Sequence, residues 1–210
     1  MLKNWDRGVN ESPLQKLAEK LHRGPPLKER IAQTVFRLKL QSDKLEQAAN
    51  RLRQHDQQLF EKIVEAEMAK DEARAAIYAN ECAEIRKMAK IIMLSQLAIE
   101  QVILRLETIE EFGDVLAHMA PITSVIHSLK GKLSGIVPEV SYELGSIGEM
   151  LNGMMVEAGV AAGAPSLPEA SSEESKRILQ EAALVAEQRM KEKFPELPEA
   201  YSSEGERHLH

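Results

Sequence analysis

The chain has 210 residues, of which 29% are Asp, Glu, Lys or Arg and only 4% are aromatic, and its net charge is −6. This composition argues against a compact enzyme with a deep core and favours an extended helical protein that depends on helix pairing or on other subunits. The single cysteine, Cys82, excludes a disulfide framework and is compatible with a reducing cytoplasm. No signal-peptide pattern opens the chain, and no segment reaches the roughly 18 apolar residues of a spanning helix, so any membrane contact is expected to be peripheral.

The first part of the chain is basic and the remainder is acidic. Residues 1–53 contain twelve Lys and Arg against six Asp and Glu, whereas residues 54–210 carry an excess of acidic side chains. This asymmetry favours a polyanionic surface as a partner and an electrostatic contact of the chain with itself. The basic residues are not interleaved with aromatic ones and no groove-docking motif is present, so we expect no nucleic-acid partner.

Residues 1–23 are predicted to form an amphipathic, basic membrane-binding segment. The only Trp of the chain stands beside Met, Leu and Lys there, and Trp prefers the membrane interface. An apolar wedge with nearby basic residues supplies the two weak signals that stable peripheral binding requires, and anionic lipids are the expected partner. The alternative is a frayed terminus that does not bind membranes and in which the Trp is incidental. The predicted lipid contacts are Met1, Leu2, Lys3, Trp5, Arg7, Lys16, Lys20 and Arg23.

A long helical hairpin is predicted over residues 27–112, which contain no Gly or Pro. Two apolar heptad stripes cross this segment out of register with each other, and a narrow stripe of this kind is typical of a coiled-coil seam. A turn near Met68 to Glu72 would let the stripes face each other, although an unbroken rod of about 130 Å stays open because no Gly marks the turn. The first stripe is Ile31, Val35, Leu38, Ser42, Leu45, Ala49, Leu52, Asp56, Leu59, Ile63 and Ala66; the second is Ile85, Met88, Ile92, Ser95, Ile99, Val102, Leu106 and Ile109.

Glycines and prolines then predict short helices near 114–133 and 139–156, which complete a helical core over 24–156. A flexible linker is predicted over 157–170, and a capping box of Ser171 and Glu174 begins a further amphipathic helix that ends near Lys193. A single amphipathic helix is not stable alone, so it must dock on the body or on a partner. The two prolines of the strip Phe194 to Pro198 favour an extended segment that presents apolar side chains to a groove, with a helix stop and loop as the alternative.

No catalytic constellation is present in the sequence. The six histidines form neither an i,i+4 pair nor a set with the cysteine, and no Gly-rich phosphate loop occurs. We therefore expect no enzyme activity, no metal site and no cofactor.

Three stretches carry a resemblance to a known family: ARAAIYANE at 73–81, ILQEAA at 178–183 and EQRMKEKFPELP at 187–198. With the basic start and the hairpin, the chain resembles an ESCRT-III subunit, specifically an archaeal CdvB-type cell-division paralogue. Too few residues follow Pro198 for the C-terminal winged helix of some members, so the chain resembles a short form. The resemblance implies an all-α fold that is elongated and ESCRT-III-like, with a flexible C-terminal tail. Residues 171–210 would form the C-terminal helix and the Pro-rich ATPase-docking tail.

The resemblance also implies a function. It predicts a polymer of this chain and paralogous subunits that forms filaments or rings on the cytoplasmic face of the membrane, at the division site. It implies constriction or scission, or vesicle release, and disassembly by an AAA ATPase whose MIT domain binds the tail. The implied ATPase-docking residues are Ile178, Leu179, Ala182, Val185, Met190, Phe194, Pro195, Leu197 and Pro198.

Two alternative functions stay open from the sequence. Bacterial membrane-maintenance polymers of the phage-shock and vesicle-inducing type share the hairpin and the amphipathic start but lack the strip at 194–198. A soluble coiled-coil adaptor would share the hairpin without any membrane activity.

Overall fold

Five helices account for almost all of the chain that the computed structural model describes, namely residues 26–112, 115–162, 170–195 and 197. Helix α1 spans Leu27–Met68, α2 spans Glu72–Phe112 and α3 spans Val115–Leu133, while α4 covers Pro138–Ala162 and α5 covers Ala170–Lys193. No strand occurs among the described residues. The all-α prediction is confirmed.

The two long helices form an antiparallel hairpin, with α1 of 42 residues and α2 of 41, so each is about 60 Å long. Every residue of the first stripe is buried except Leu52, which is half-buried, and in the second stripe only Met88 is half-buried. Extending the first register into α2 would place Ile77 at the seam, but this side chain is 66% exposed. The predicted change of register is therefore confirmed.

The buried seam of α2 begins nearer the turn than the apolar stripe predicted. Ala75, Ala79 and Cys82 are fully or almost fully buried, and the last two pack with Leu59 and Ile63 of α1 in a separate apolar cluster. Their small side chains do not stand out as a hydrophobic stripe, so the pattern of large apolar residues did not reveal them.

A Schellman motif makes the hairpin turn, and it resolves the choice between hairpin and rod. Lys70 is left-handed at φ 57°, its N–H donates to Glu67 O at 2.9 Å, and the N–H of Asp71 donates to Ala66 O at 2.9 Å. These are the two hydrogen bonds that define the motif, which usually has Gly at the left-handed position. The Asp71 carboxylate then accepts a hydrogen bond from Arg74 N at 3.1 Å, as an N-cap of α2 does.

Two helices follow the hairpin close to the predicted ranges, but the second extends past its predicted end at 156. Helix α4 contains Gly145, Gly148 and Gly153 and continues to Ala162, so residues 157–162 are helical rather than part of the predicted linker. Each interior Gly costs roughly 1 kcal/mol against Ala, but a continuous buried stripe on α4 outweighs that cost. The stripe consists of Val140, Leu144, Ile147, Leu151 and Met154. Pro138 occupies the first helical position, where its missing N–H has no intrahelical partner to lose.

Helices α3 and α4 pack against each other, α4 also contacts α1, and α5 lies on α2 and α3. One apolar core joins all five helices at the end of the hairpin away from the turn. The C-terminal helix therefore docks on the body of its own chain, which was one of the two predicted outcomes.

Candidate functional site at the interface of the hairpin and the C-terminal helix

The predicted lipid contacts, from Met1 to Arg23, lie outside the described residues, as does Pro198 of the predicted docking strip. The membrane-binding prediction therefore stays a prediction. None of the helices that the structure describes is long and apolar enough to cross a membrane.

The predicted ATPase-docking residues lie on α5 and just beyond it, and most of them face the body of the protein. Ile178 and Ala182 are fully buried and Phe194 is 6% exposed. Leu179, Met190 and Leu197 are half-buried, while Val185 and Pro195 are exposed. The apolar face that would bind an ATPase is thus largely occupied by the hairpin, so binding of the same side chains to another protein requires α5 to detach.

A buried ion pair crosses the hairpin beneath the end of α5. The Asp56 carboxylate on α1 has no exposure and accepts two hydrogen bonds from Arg86 on α2, at 2.6 Å from Nε and 3.0 Å from Nη2. The Arg86 guanidinium carbon lies 5.8 Å from the centre of the Phe194 ring, a cation–π distance. The first residue of the predicted docking strip therefore covers the buried charge pair of the hairpin.

The sequence contained one signal of this pair, because Asp56 occupies a position of the first apolar stripe. A carboxylate at a seam position has to be paired or hydrogen-bonded when it is buried. Its partner, Arg86, lies outside both stripes, so heptad spacing alone did not identify it.

Cys82 lies next to this ion pair, and its Sγ is 3.7 Å from the backbone oxygen of Asp56. Burial, and to a smaller extent the neighbouring Asp56 carboxylate, raise the pKa of the thiol from 9.0 to about 12. Only the thiolate is a nucleophile, so a thiol of this kind is inert at neutral pH. Cys82 therefore acts as a small apolar residue of the hairpin interface.

We expect Cys82 to resist modification by a disulfide reagent at pH 8 in the folded protein and to react at once in denaturant, because folding withholds the thiolate. Folding raises the pKa of the Cys82 thiol, so this group stabilises the folded state below pH 9. That contribution is lost as the pH rises towards 12. The absorbance of the released reagent measures the rate of Cys82 modification in the folded and in the denatured protein. Equal rates in native and denatured protein would contradict the burial of Cys82.

Ion pairs attach both later helices to the hairpin. On α4, Glu143 accepts from Arg37 Nε at 2.7 Å and Glu157 pairs with Arg30 of α1. On α5, Glu174 pairs with Arg105 at 2.5 Å, and Glu187 with Lys90 at 3.8 Å. In each pair the later helix supplies the carboxylate and the hairpin supplies the cation, which is an electrostatic contact of the predicted kind.

These features define an all-α protein whose amphipathic C-terminal helix is closed onto a long hairpin. Among the described residues, no group of three or more His, Cys, Asp or Glu side chains could hold a metal ion.

Comparison with known proteins identifies the family. The chain is 48% identical over 175 residues to Cell division protein B1 of Sulfolobus acidocaldarius, which covers 83% of this chain and 82% of that relative. It is 40% identical over 172 residues to Cell division protein B of the same organism, covering 82% of this chain and 66% of the relative. No protein-family model and no solved structure matches the chain. The chain belongs to the CdvB-type archaeal cell-division proteins of the ESCRT-III family.

Proposed function

We propose that this protein is a subunit of a membrane-remodelling polymer in archaeal cell division. It assembles with itself and with paralogous subunits into filaments or rings on the cytoplasmic face of the membrane at the division site, and drives constriction or scission. The observation that carries the proposal is its membership of a family whose relatives are cell-division proteins. Vesicle release by the same polymer is a related use.

The basic N-terminal part supplies the lipid contact in this proposal. Each Lys or Arg near an anionic surface contributes about 1 kcal/mol, so one subunit binds weakly. A polymer holds many such segments at once, and linked weak contacts bind far more tightly than separate ones. Assembly and membrane binding are therefore coupled.

The closed α5 supports a regulatory step in the same proposal. Helix α5 covers part of the hairpin through an apolar face and the ion pairs Arg105–Glu174 and Lys90–Glu187. Such a helix prevents neighbouring subunits from using the surface beneath it. An AAA ATPase whose MIT domain binds the strip from Phe194 to Pro198 would then engage released tails and remove subunits from the polymer.

Negative-stain electron microscopy with anionic liposomes tests this proposal. We expect filaments or tubulated lipid with the full chain, and their loss when residues 1–7 are removed, because that deletion removes the apolar wedge with Lys3 and Arg7. A chain without residues 204–210 is the matched control, since it lacks a segment of equal length at the other end.

A chain that ends at Gly163 separates a latent subunit from a protein of another kind, because it lacks α5. Filaments formed by this shortened chain alone would show that the full chain is held closed. Smooth liposomes and no polymer from either chain, alone or mixed with a paralogue, would contradict the proposal and favour a soluble coiled-coil adaptor.

A further inference from the structure

A small polar cleft lies where the last turns of α5 meet the hairpin. It encloses about 50 Å³, room for roughly three to four waters, which is close to the four oxygens of one phosphate group. Arg53 and Asn50 of α1 line one side, and Arg189 and Lys193 of α5 line the other. The cleft thus brings cations from two separate helices together.

Charge in this cleft is unbalanced. Its lining includes three cations, Arg53, Arg189 and Lys193, and one carboxylate, Glu46. No ion pair or hydrogen bond joins the three cations to any group within the described part of the chain. Like charges at i and i+4, as at Arg189 and Lys193, also destabilise a helix. The cleft therefore carries an uncompensated positive charge.

The other contacts between α5 and the hairpin are complementary. Arg105 meets Glu174 and Lys90 meets Glu187, so a hairpin cation faces an α5 carboxylate at both places. At Arg53 the arrangement is the reverse, because a hairpin cation faces two cations of α5. An anion between them would complete the electrostatic match along the helix.

The geometry points to a phosphate-binding site formed by Arg53, Arg189 and Lys193, in which a bound anion holds the end of α5 on the hairpin. Guanidinium groups suit this ligand because they donate two parallel hydrogen bonds to phosphate oxygens, and the Asn50 amide is a further donor. The carboxylate of Glu46 in the lining repels additional anions, so the site takes one compact group. The ligand is a phosphate-bearing anion, either free or as a lipid headgroup. This inference concerns the monomer and does not rest on polymer formation.

Calorimetric titration of the full chain at constant ionic strength tests the site, with inorganic pyrophosphate as a phosphate-bearing anion of which one phosphate group enters the cleft. We expect saturable binding with a stoichiometry of one, weakened by about tenfold or more in the variant Arg53→Gln with Arg189→Gln, because two charge-assisted contacts are lost. Hydrogen exchange of the α5 amides should slow when pyrophosphate binds to the natural chain and stay unchanged in the variant.

The matched control is Arg51→Gln with Lys191→Gln, which removes the same charge from the same two helices at exposed positions outside the cleft. We expect this control to bind pyrophosphate within about twofold of the natural chain, since exposed charges that lie outside the cleft, on the opposite sides of the two helices, contribute little at moderate salt. An absence of saturable binding, or equal weakening in both variants, would overturn the proposal. Circular dichroism establishes that both variants retain their helices.

The source of the phosphate group is decided by a second titration, with vesicles of phosphatidylglycerol. If Arg53→Gln with Arg189→Gln weakens vesicle binding relative to the control variant, the site takes a lipid headgroup. If it weakens only pyrophosphate binding, the site takes a free anion. Both results support the phosphate site. If the phosphate-site proposal fails, the liposome test of polymer formation is unaffected.

Discussion

Replacing Asp56 with Ala should lower the free energy of unfolding by about 3–5 kcal/mol. The substitution removes the carboxylate that accepts two hydrogen bonds from Arg86, and the Arg86 side chain is only 15% exposed. A guanidinium that stays buried without its anion has lost its hydration, and no ion pair compensates for that loss. Urea denaturation followed by circular dichroism measures the change.

The control for this experiment lies on the same two helices. Lys39 and Glu107 form an ion pair of 2.8 Å across the hairpin, but their side chains are 56% and 42% exposed. Glu107→Ala should therefore cost less than about 1 kcal/mol. A similar loss in Asp56→Ala and Glu107→Ala would show that burial of the Asp56–Arg86 pair is unimportant.

A double variant separates the pair from its surroundings. Replacing Asp56 and Arg86 together with Leu leaves no unpaired charge, so this protein should be more stable than Asp56→Ala. If it is less stable, the remaining contacts of Arg86, including the cation–π contact with Phe194, outweigh the cost of leaving its charge unpaired.

Ala182→Glu is expected to detach α5 while the hairpin remains folded. Ala182 has no exposure, and a glutamate there would bury a carboxylate in the apolar interface of α5. We expect hydrogen exchange of the α5 amides to accelerate by about a hundredfold or more, with little change in α1 and α2. Mass spectrometry of peptides from each helix measures this difference.

The same variant tests whether closure restrains assembly. If α5 covers an assembly surface, Ala182→Glu should form filaments on anionic liposomes at a lower protein concentration than the natural chain. Leu184→Glu is the matched control, because it adds the same charge two residues away at a side chain that is 71% exposed. Detachment of α5 with an unchanged assembly threshold would refute the autoinhibitory role.

The hairpin could be predicted from the sequence because its apolar residues recur at regular heptad spacing. The first stripe could not continue past Ala66 without burying Lys70, and a second stripe in a new phase required the chain to turn. The geometry of that turn was not predictable by residue type, since Lys70 occupies a position where Gly is usual. Asp71, which caps the N-terminus of α2, is the one local signal of the turn, and it is independent of Gly and Pro.

The docking of α5 was predictable only in part. An amphipathic helix from Ser171 to Lys193 has to bury its apolar face, but the pattern does not say whether the partner is the hairpin or another protein. The structure shows the hairpin as that partner, with Phe194 over Arg86. This pairing depends on long-range packing, and no local spacing encodes it.

The separation of the ion pairs along the chain implies an order in which the protein folds. Asp56 and Arg86 are 30 residues apart, whereas Arg105 and Glu174 are 69 apart and Arg30 and Glu157 are 127 apart. Contacts between distant residues carry the larger loop-closure entropy, and native contacts of this kind form slowly. The hairpin should fold from its turn outwards before α4 and α5 dock on it, even while the chain is still being synthesised. An open subunit is then a form that every newly made molecule passes through.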